Sequence, residues 1–221
     1  MRSRPWLTAA LAAALFAQGC APRKLHEVDE LFCAYSGQVP GAAVMVVHKG
    51  RPILTRCYGL ASLEQERPVG ECTNFRLASV SKQFTAMGIM ILVEGGLLRY
   101  GQTLRQVFPA FPPYGDAVTI DHLLHHTSGL IEYESLLPDT MTSQVSDADV
   151  LRMMMEQDST YFPPGNQFRY SNAGYAVLAM VVGKVSGMRF ADFLRENVFL
   201  PAGMTSTIAY EKGVPPVSCR A

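Results

Sequence analysis

Two spacings of apolar residues alternate along the chain. Leu25 to Tyr35 (LHEVDELFCAY) repeats them at helical intervals and predicts a helix packed on a sheet. Ala42 to His48 and Ile53 to Tyr58 are β-rich runs separated by Lys49-Gly50-Arg51-Pro52, the pattern of a hairpin, and Thr73 to Leu77 predicts a further short strand. A helix then starts around Ser79 and stops at Gly95-Gly96; from Ala86 to Val93 it is apolar nearly all round, which predicts burial on every side. From about Leu98 to Gln157 the pattern is helical and loop-rich. It contains IDHLLHHTSGL and SDADVLRMMMEQ, the second opened by Ser146 as N-cap and filled by Met153, Met154 and Met155. A Pro/Gly loop leads into a long apolar helix after Tyr170, and a last helix covers about Phe190 to Phe199.

Composition narrows the classes. The chain has 221 residues, 48% of them hydrophobic, with 19 basic and 19 acidic side chains. That length suffices for a well-buried core, and a balanced charge without a basic cluster beyond the first residues argues against nucleic acid as a partner. The first residues, MRSRPWLTAALAAALFAQGC, have the charged start and short apolar run of an export signal. Ala17-Gln18-Gly19-Cys20 resembles the bacterial lipoprotein cleavage box, with Ala17 where Leu is usual. Residues 1–19 are therefore expected to be a signal peptide and Cys20 a lipid attachment site, giving an exported chain held to the membrane by an N-terminal lipid anchor. Cys33, Cys57, Cys72 and Cys219 remain, an even number compatible with disulfides in three connectivities or with buried free thiols.

Candidate chemistry begins in LASVSKQFTA (Leu77 to Ala86). Ser79 precedes a long apolar run, as an N-cap does, but a capping box wants Glu or Gln three residues on and here that position is Lys82. A lysine in a first helical turn opposes the helix dipole by roughly 0.3–1 kcal/mol. Broken local rules of this kind concentrate at functional sites. The same spacing brings i and i+3 side chains onto one helix face, roughly 5–6 Å apart at Cβ, so the Lys82 amine reaches the Ser79 hydroxyl. A lysine disfavoured as ammonium is what a general base for a serine nucleophile requires. Ser81 does not face Lys82.

Tyr170-Ser171-Asn172 forms a second constellation at a loop-to-helix junction. Ser171 or Asn172 serves as N-cap in the simpler reading. In the chemical reading, a tyrosine near an ammonium has a lowered pKa and relays protons, while the Asn172 amide binds a substrate carbonyl with one end and holds Lys82 with the other. A metal alternative rests on His122, His125 and His126, whose spacing would put imidazoles on one helix face. It lacks a further ligand and a well-placed carboxylate, since Asp121 is adjacent but badly oriented, so no metal or other cofactor is expected.

Phe75-Arg76-Leu77-Ala78-Ser79-Val80-Ser81-Lys82, His126-Thr127-Ser128-Gly129-Leu130, and Pro164-Gly165 through Tyr170-Ser171-Asn172, in that order, resemble the serine β-lactamase-related family of class C β-lactamases, D-Ala-D-Ala carboxypeptidases and esterases. The resemblance implies an α+β, β-lactamase/transpeptidase-like fold: an antiparallel sheet flanked by helices plus a helical subdomain. It further implies Ser79 as the acylated nucleophile with its backbone N–H in an oxyanion hole, Lys82 as base, Tyr170 as proton donor to the leaving group, and Asn172 as substrate-amide holder. His126 to Gly129 are implied to shape the scaffold. The substrate would be a small molecule or peptide carrying an amide or ester. The family's third motif, Lys-Thr-Gly or a His-x-Gly variant on a strand, has no counterpart here, because Lys184-Val185-Ser186-Gly187 closes a helix. The expectation is a partial domain over residues 20–221 lacking the C-terminal strands. Within it, hairpin and Ser-x-x-Lys helix occupy about 25–97 and the helical part about 98–221. A non-catalytic lipoprotein retaining the motifs is the rival reading.

Overall fold

The computed structural model describes residues 21–211 and 217–221; the expected signal segment 1–19 and Cys20 lie outside the described residues. Packing divides the described residues into two compact units, 77–211 and the remainder, 21–76 with 217–221. The helix that follows Ser79 therefore groups with the later helices, whereas the sequence-based division near residue 97 follows chain order.

In the first unit, helix α1 (Ala21–Leu31) and a 3-10 turn, Cys33–Tyr35, precede the antiparallel hairpin of β1 (Ala42–His48) and β2 (Arg51–Tyr58). Phe32 stacks on Tyr58 at 5.3 Å between ring centroids, and the Tyr58 hydroxyl donates to Asp29 at 2.8 Å, so the helical segment does rest on a strand. The hairpin turn is tighter than the sequence suggests. Lys49 and Gly50 both have positive φ, 48° and 74°, which is the two-residue turn that matches strand twist. Pro52 falls inside β2, opposite Val47 at a bulge, where a missing N–H is tolerated. Two short strands, β3 (Leu60–Ser62) and β4 (Arg67–Pro68), form a second antiparallel pair. The strand expected over Thr73 to Leu77 does not form. Asn74 alone makes a bridge, to Arg220, and the other residues find no partner strand to complete a ladder. Cys33, Cys57, Cys72 and Cys219 are all free thiols.

The second unit is helical: α2 (Lys82–Glu94), α3 (Leu104–Val107), α4 (Ile120–Leu124), α5 (Asp147–Met155), α6 (Asn172–Ser186) and α7 (Phe190–Leu194). α6 is its axis, packed by α2, α4, α5 and α7. Val177, Leu178, Val181 and Val182 of α6 are fully enclosed with Ile89, Leu123 and Met154. Each such side chain contributes about 1.5–3 kcal/mol relative to exposure. A Cβ on Gly88 would stand 3.3 Å from Val182 Cγ2, so glycine there permits the close approach of α2 and α6 that the site depends on. Ser146 caps α5 in a full capping box with Asp149, and Gly187, at φ 70°, ends α6.

Two further expectations change. Helix α2 is buried on one side only: Gly88, Ile89 and Leu92 face the core, whereas Met87 and Met90 stand 44% and 49% exposed. An apolar residue at every position conceals the stripe that packing selects. The helix expected over Phe190 to Phe199 is α7 followed by a single π-turn, Arg195–Phe199.

Candidate active site

Ser79 occupies a 3-10 turn, Ala78–Ser81, that runs directly into α2, so it is not the helix N-cap. Ala78, just before it, has φ 45°, a left-handed conformation that costs a residue with a Cβ of order 1–3 kcal/mol. The Ser79 hydroxyl is solvent-accessible and stands between two partners, Lys82 Nζ at 3.2 Å and Tyr170 Oη at 2.5 Å. Lys82 Nζ also donates to Asn172 Oδ1 at 2.8 Å and lies 4.8 Å from the centre of the Tyr170 ring. Lys82 and Tyr170, from two stretches of sequence, thus meet on the Ser79 hydroxyl, and Asn172 joins them through Lys82. The Tyr170 phenol is held below its ordinary range by hydrogen bonds with Lys82 and Ser79, against the small opposing effect of burial.

The second stretch is aimed by the start of α6. Ser171 is the N-cap, its Oγ accepting from Gly174 N at 2.9 Å, which leaves Asn172 as the first helical residue with its amide toward Lys82. Asn172 is engaged at both ends: Oδ1 on Lys82, and Nδ2 donating to Glu134 Oε1 at 3.0 Å. The Asn172 side-chain oxygen therefore faces Lys82 and its nitrogen faces Glu134. One amide hydrogen that would bind a substrate carbonyl is spent on Glu134.

Sequence reasoning did not single out Glu132 and Glu134. The Glu132 carboxylate accepts backbone N–H groups from Asn172 and Ala173 at 3.0 and 2.9 Å, satisfying free donors at the N-terminus of α6. Burial, then the neighbouring Glu134, push the Glu132 carboxyl up against the pull of those two bonds. For Glu134 burial acts upward, but hydrogen bonds from Glu132, Asn172 and Tyr133 outweigh it and leave the carboxyl low. The only sequence signal was an acidic pair, Glu132-Tyr133-Glu134, separated by Ile131 alone from His-Thr-Ser-Gly-Leu, and its partners lie about forty residues away.

The three histidines do not share a helix face. α4 ends at Leu124, His125 is its C-cap, and His126 turns left-handed at φ 58°. His122 Nδ1 accepts from Thr119 N, His125 Nδ1 pairs with Asp121, and His126 Nδ1 accepts from Ser171 N. Each imidazole is committed to a separate contact, which removes the geometric basis of the metal alternative.

The α+β fold and a serine joined to lysine and tyrosine define a protein of the β-lactamase/transpeptidase type. The Beta-lactamase family model matches residues 13–213, and the chain belongs to that family. It is 39% identical over 176 residues to a penicillin-binding protein of Bacillus subtilis (strain 168), a match covering 78% of this chain and 39% of that relative. Among solved structures it is similar to a penicillin binding protein from Bacillus halodurans, with TM-score 0.74 and 34% identity over 89% of this chain and 59% of that one. It is also similar to the D-amino acid amidase of Ochrobactrum anthropi SV3, with TM-score 0.71 and 25% identity over 87% and 53%. The chain thus spans about two fifths of the length of the Bacillus subtilis relative.

Proposed function

We propose that this chain carries the nucleophile of a serine hydrolase that opens an amide or ester through an acyl-enzyme. The observation behind the reading is the Ser79 hydroxyl held between Lys82 Nζ and Tyr170 Oη. Ser79 Oγ attacks the substrate carbonyl carbon while its proton passes to the Lys82–Tyr170 pair. Tyr170 then hands the proton to the departing amine or alcohol, leaving an ester on Ser79. In the second half, Tyr170 takes a proton from water, the hydroxide attacks the ester, and Ser79 recovers its hydrogen. Asn172, steadied by Glu134, holds the Lys82 Nζ in place during this exchange.

Substrate candidates are β-lactams, D-Ala-D-Ala peptides and small esters; the amidase and penicillin-binding relatives support amides first. Export with lipid attachment at Cys20 belongs to the same reading, and metabolic labelling with a fatty acid, lost in Cys20→Ala, tests it. For the chemistry, a panel of one β-lactam, one D-amino acid amide and one p-nitrophenyl ester is turned over by the intact protein and by Ser79→Ala. Turnover of at least one, abolished in the variant, supports the reading. No turnover of any, or equal turnover by the variant, overturns it in favour of a chain that keeps the motifs without catalysis.

A further inference from the structure

His126 has no part in the proton transfers above, yet it touches the chain on both sides of Tyr170. Its backbone carbonyl accepts from Arg169 N at 2.8 Å, and its ring Nδ1 accepts from Ser171 N at 3.1 Å. The same ring lies against Tyr170 with centroids 4.6 Å apart and against Tyr175 at 5.1 Å. One residue thus binds the backbone before Tyr170, the backbone after it, and the phenol ring itself. We propose that His126 is the positioning residue for Tyr170, and that it works only as the neutral imidazole with its hydrogen on Nε2, because Nδ1 must accept the Ser171 N–H.

The local backbone supports that assignment. His126 is left-handed, φ 58°, and a strained conformation persists only where surrounding contacts over-determine it. The contacts are those of the two facing segments: besides Arg169 on His126, Gly165 N donates to the Thr127 carbonyl at 2.8 Å and Tyr161 N to the Gly129 carbonyl at 2.7 Å. Residues 126–129 therefore form a rail along the segment that ends in Tyr170.

Charge around the ring keeps it neutral. Burial first, then the Lys82 ammonium from α2, then His125 on its own segment, push the imidazole below its ordinary value of 6.5. The other titratable groups against it are the Tyr170 and Tyr175 phenols, on the approach to α6 and on its first turn. Protonation would put a second N–H opposite Ser171 N–H and a positive charge beside Lys82. Because the folded value is depressed, the neutral form holds at neutral pH and is lost only as pH falls below the ordinary imidazole range.

The inference rests on the Ser79–Lys82–Tyr170 reading for its consequence, and two measurements separate the two. In the intact wild-type protein, nitrogen NMR of the imidazole is expected to show His126 Nδ1 unprotonated and Nε2 protonated at pH 8. A proton on Nδ1 overturns the positioning role whatever Ser79 does. His126→Asn retains an acceptor near Nδ1 and suits positive φ, whereas His126→Phe keeps a ring without an acceptor. A misplacement of about 1 Å costs on the order of 100-fold, so His126→Phe is expected to lose about that factor in kcat with little change in KM, and His126→Asn about tenfold or less. Wild type should show an acid limb below pH 6.5 that His126→Asn lacks. Equal losses in both variants, or an unchanged acid limb in His126→Asn, would make the residue merely structural. Failure of Ser79→Ala to abolish turnover would instead remove the hydrolase reading and leave the tautomer result standing.

Discussion

In the helical unit Ile89, Leu104, Ile120, Met154 and Leu178 are fully enclosed, whereas on the hairpin Met45, Val47 and Ile53 stand 58%, 56% and 62% exposed. Among the described residues, the first unit buries only Leu60 and Val69 of its hydrophobic side chains. Every residue of the candidate site, Ser79, Lys82, Glu132, Glu134, Tyr170 and Asn172, belongs to the enclosed unit. The difference shows where positional accuracy comes from. A proton-transfer set needs atoms held within fractions of an ångström, and α2 and α6 supply that by packing against each other across Gly88 and Val182.

The largest effect that would sharpen this contrast is loss of the nucleophile. Ser79→Ala is expected to lower kcat by on the order of 10^6-fold with unchanged thermal stability, checked by turnover and by a melting curve. Tyr170→Phe should cost about 10^2- to 10^4-fold, the usual range for a general acid–base. Its pH profile provides a further check. Since its bonds to Lys82 and Ser79 hold the phenol low, a Tyr170 that takes up the proton as phenolate predicts wild-type activity rising with pH through a midpoint below 10, and Lys82→Met, which removes the first of those bonds, should shift that midpoint upward.

Stability changes follow, in descending order. Ile89→Ala in the enclosed unit is expected to cost about 2–5 kcal/mol in denaturant unfolding. Gly129→Ala places a Cβ 2.5 Å from the Phe162 carbonyl at φ 67° and should cost about 1–3 kcal/mol while slowing acylation, because the rail beside Tyr170 shifts. Met45→Ala on the hairpin should stay within about 0.5 kcal/mol. A Met45→Ala loss as large as that of Ile89→Ala would break the comparison.

How much of this could be read from the sequence depended on the range of each interaction. Ser79 and Lys82 are one turn apart, and Tyr170 and Asn172 share a helix start, so spacing offered each pair as a candidate beside a plain helix-cap reading. The contact between the pairs spans about ninety residues, so only their complementary chemistry and then the family resemblance suggested joining them. Glu132 and Glu134 escaped, and His126 was legible only as part of a scaffold motif, because His126 and Glu132 act through backbone N–H groups and Glu134 through the Asn172 amide, which no local pattern encodes. The exposed side of α2 was illegible for the opposite reason: Met87 and Met90 are as apolar as their buried neighbours. The short strand expected at Thr73 to Leu77 failed because strand propensity describes a fit to a partner, and only Asn74 found one.

The central claim is that Ser79 becomes covalently acylated. The most direct test treats the intact protein with a fluorophosphonate or labelled penicillin, digests it, and locates the adduct by peptide mass spectrometry. An adduct on Ser79, absent from Ser79→Ala and weakened in Tyr170→Phe, is the result expected here. An adduct on Ser81, or labelling that survives in Ser79→Ala, would contradict the account.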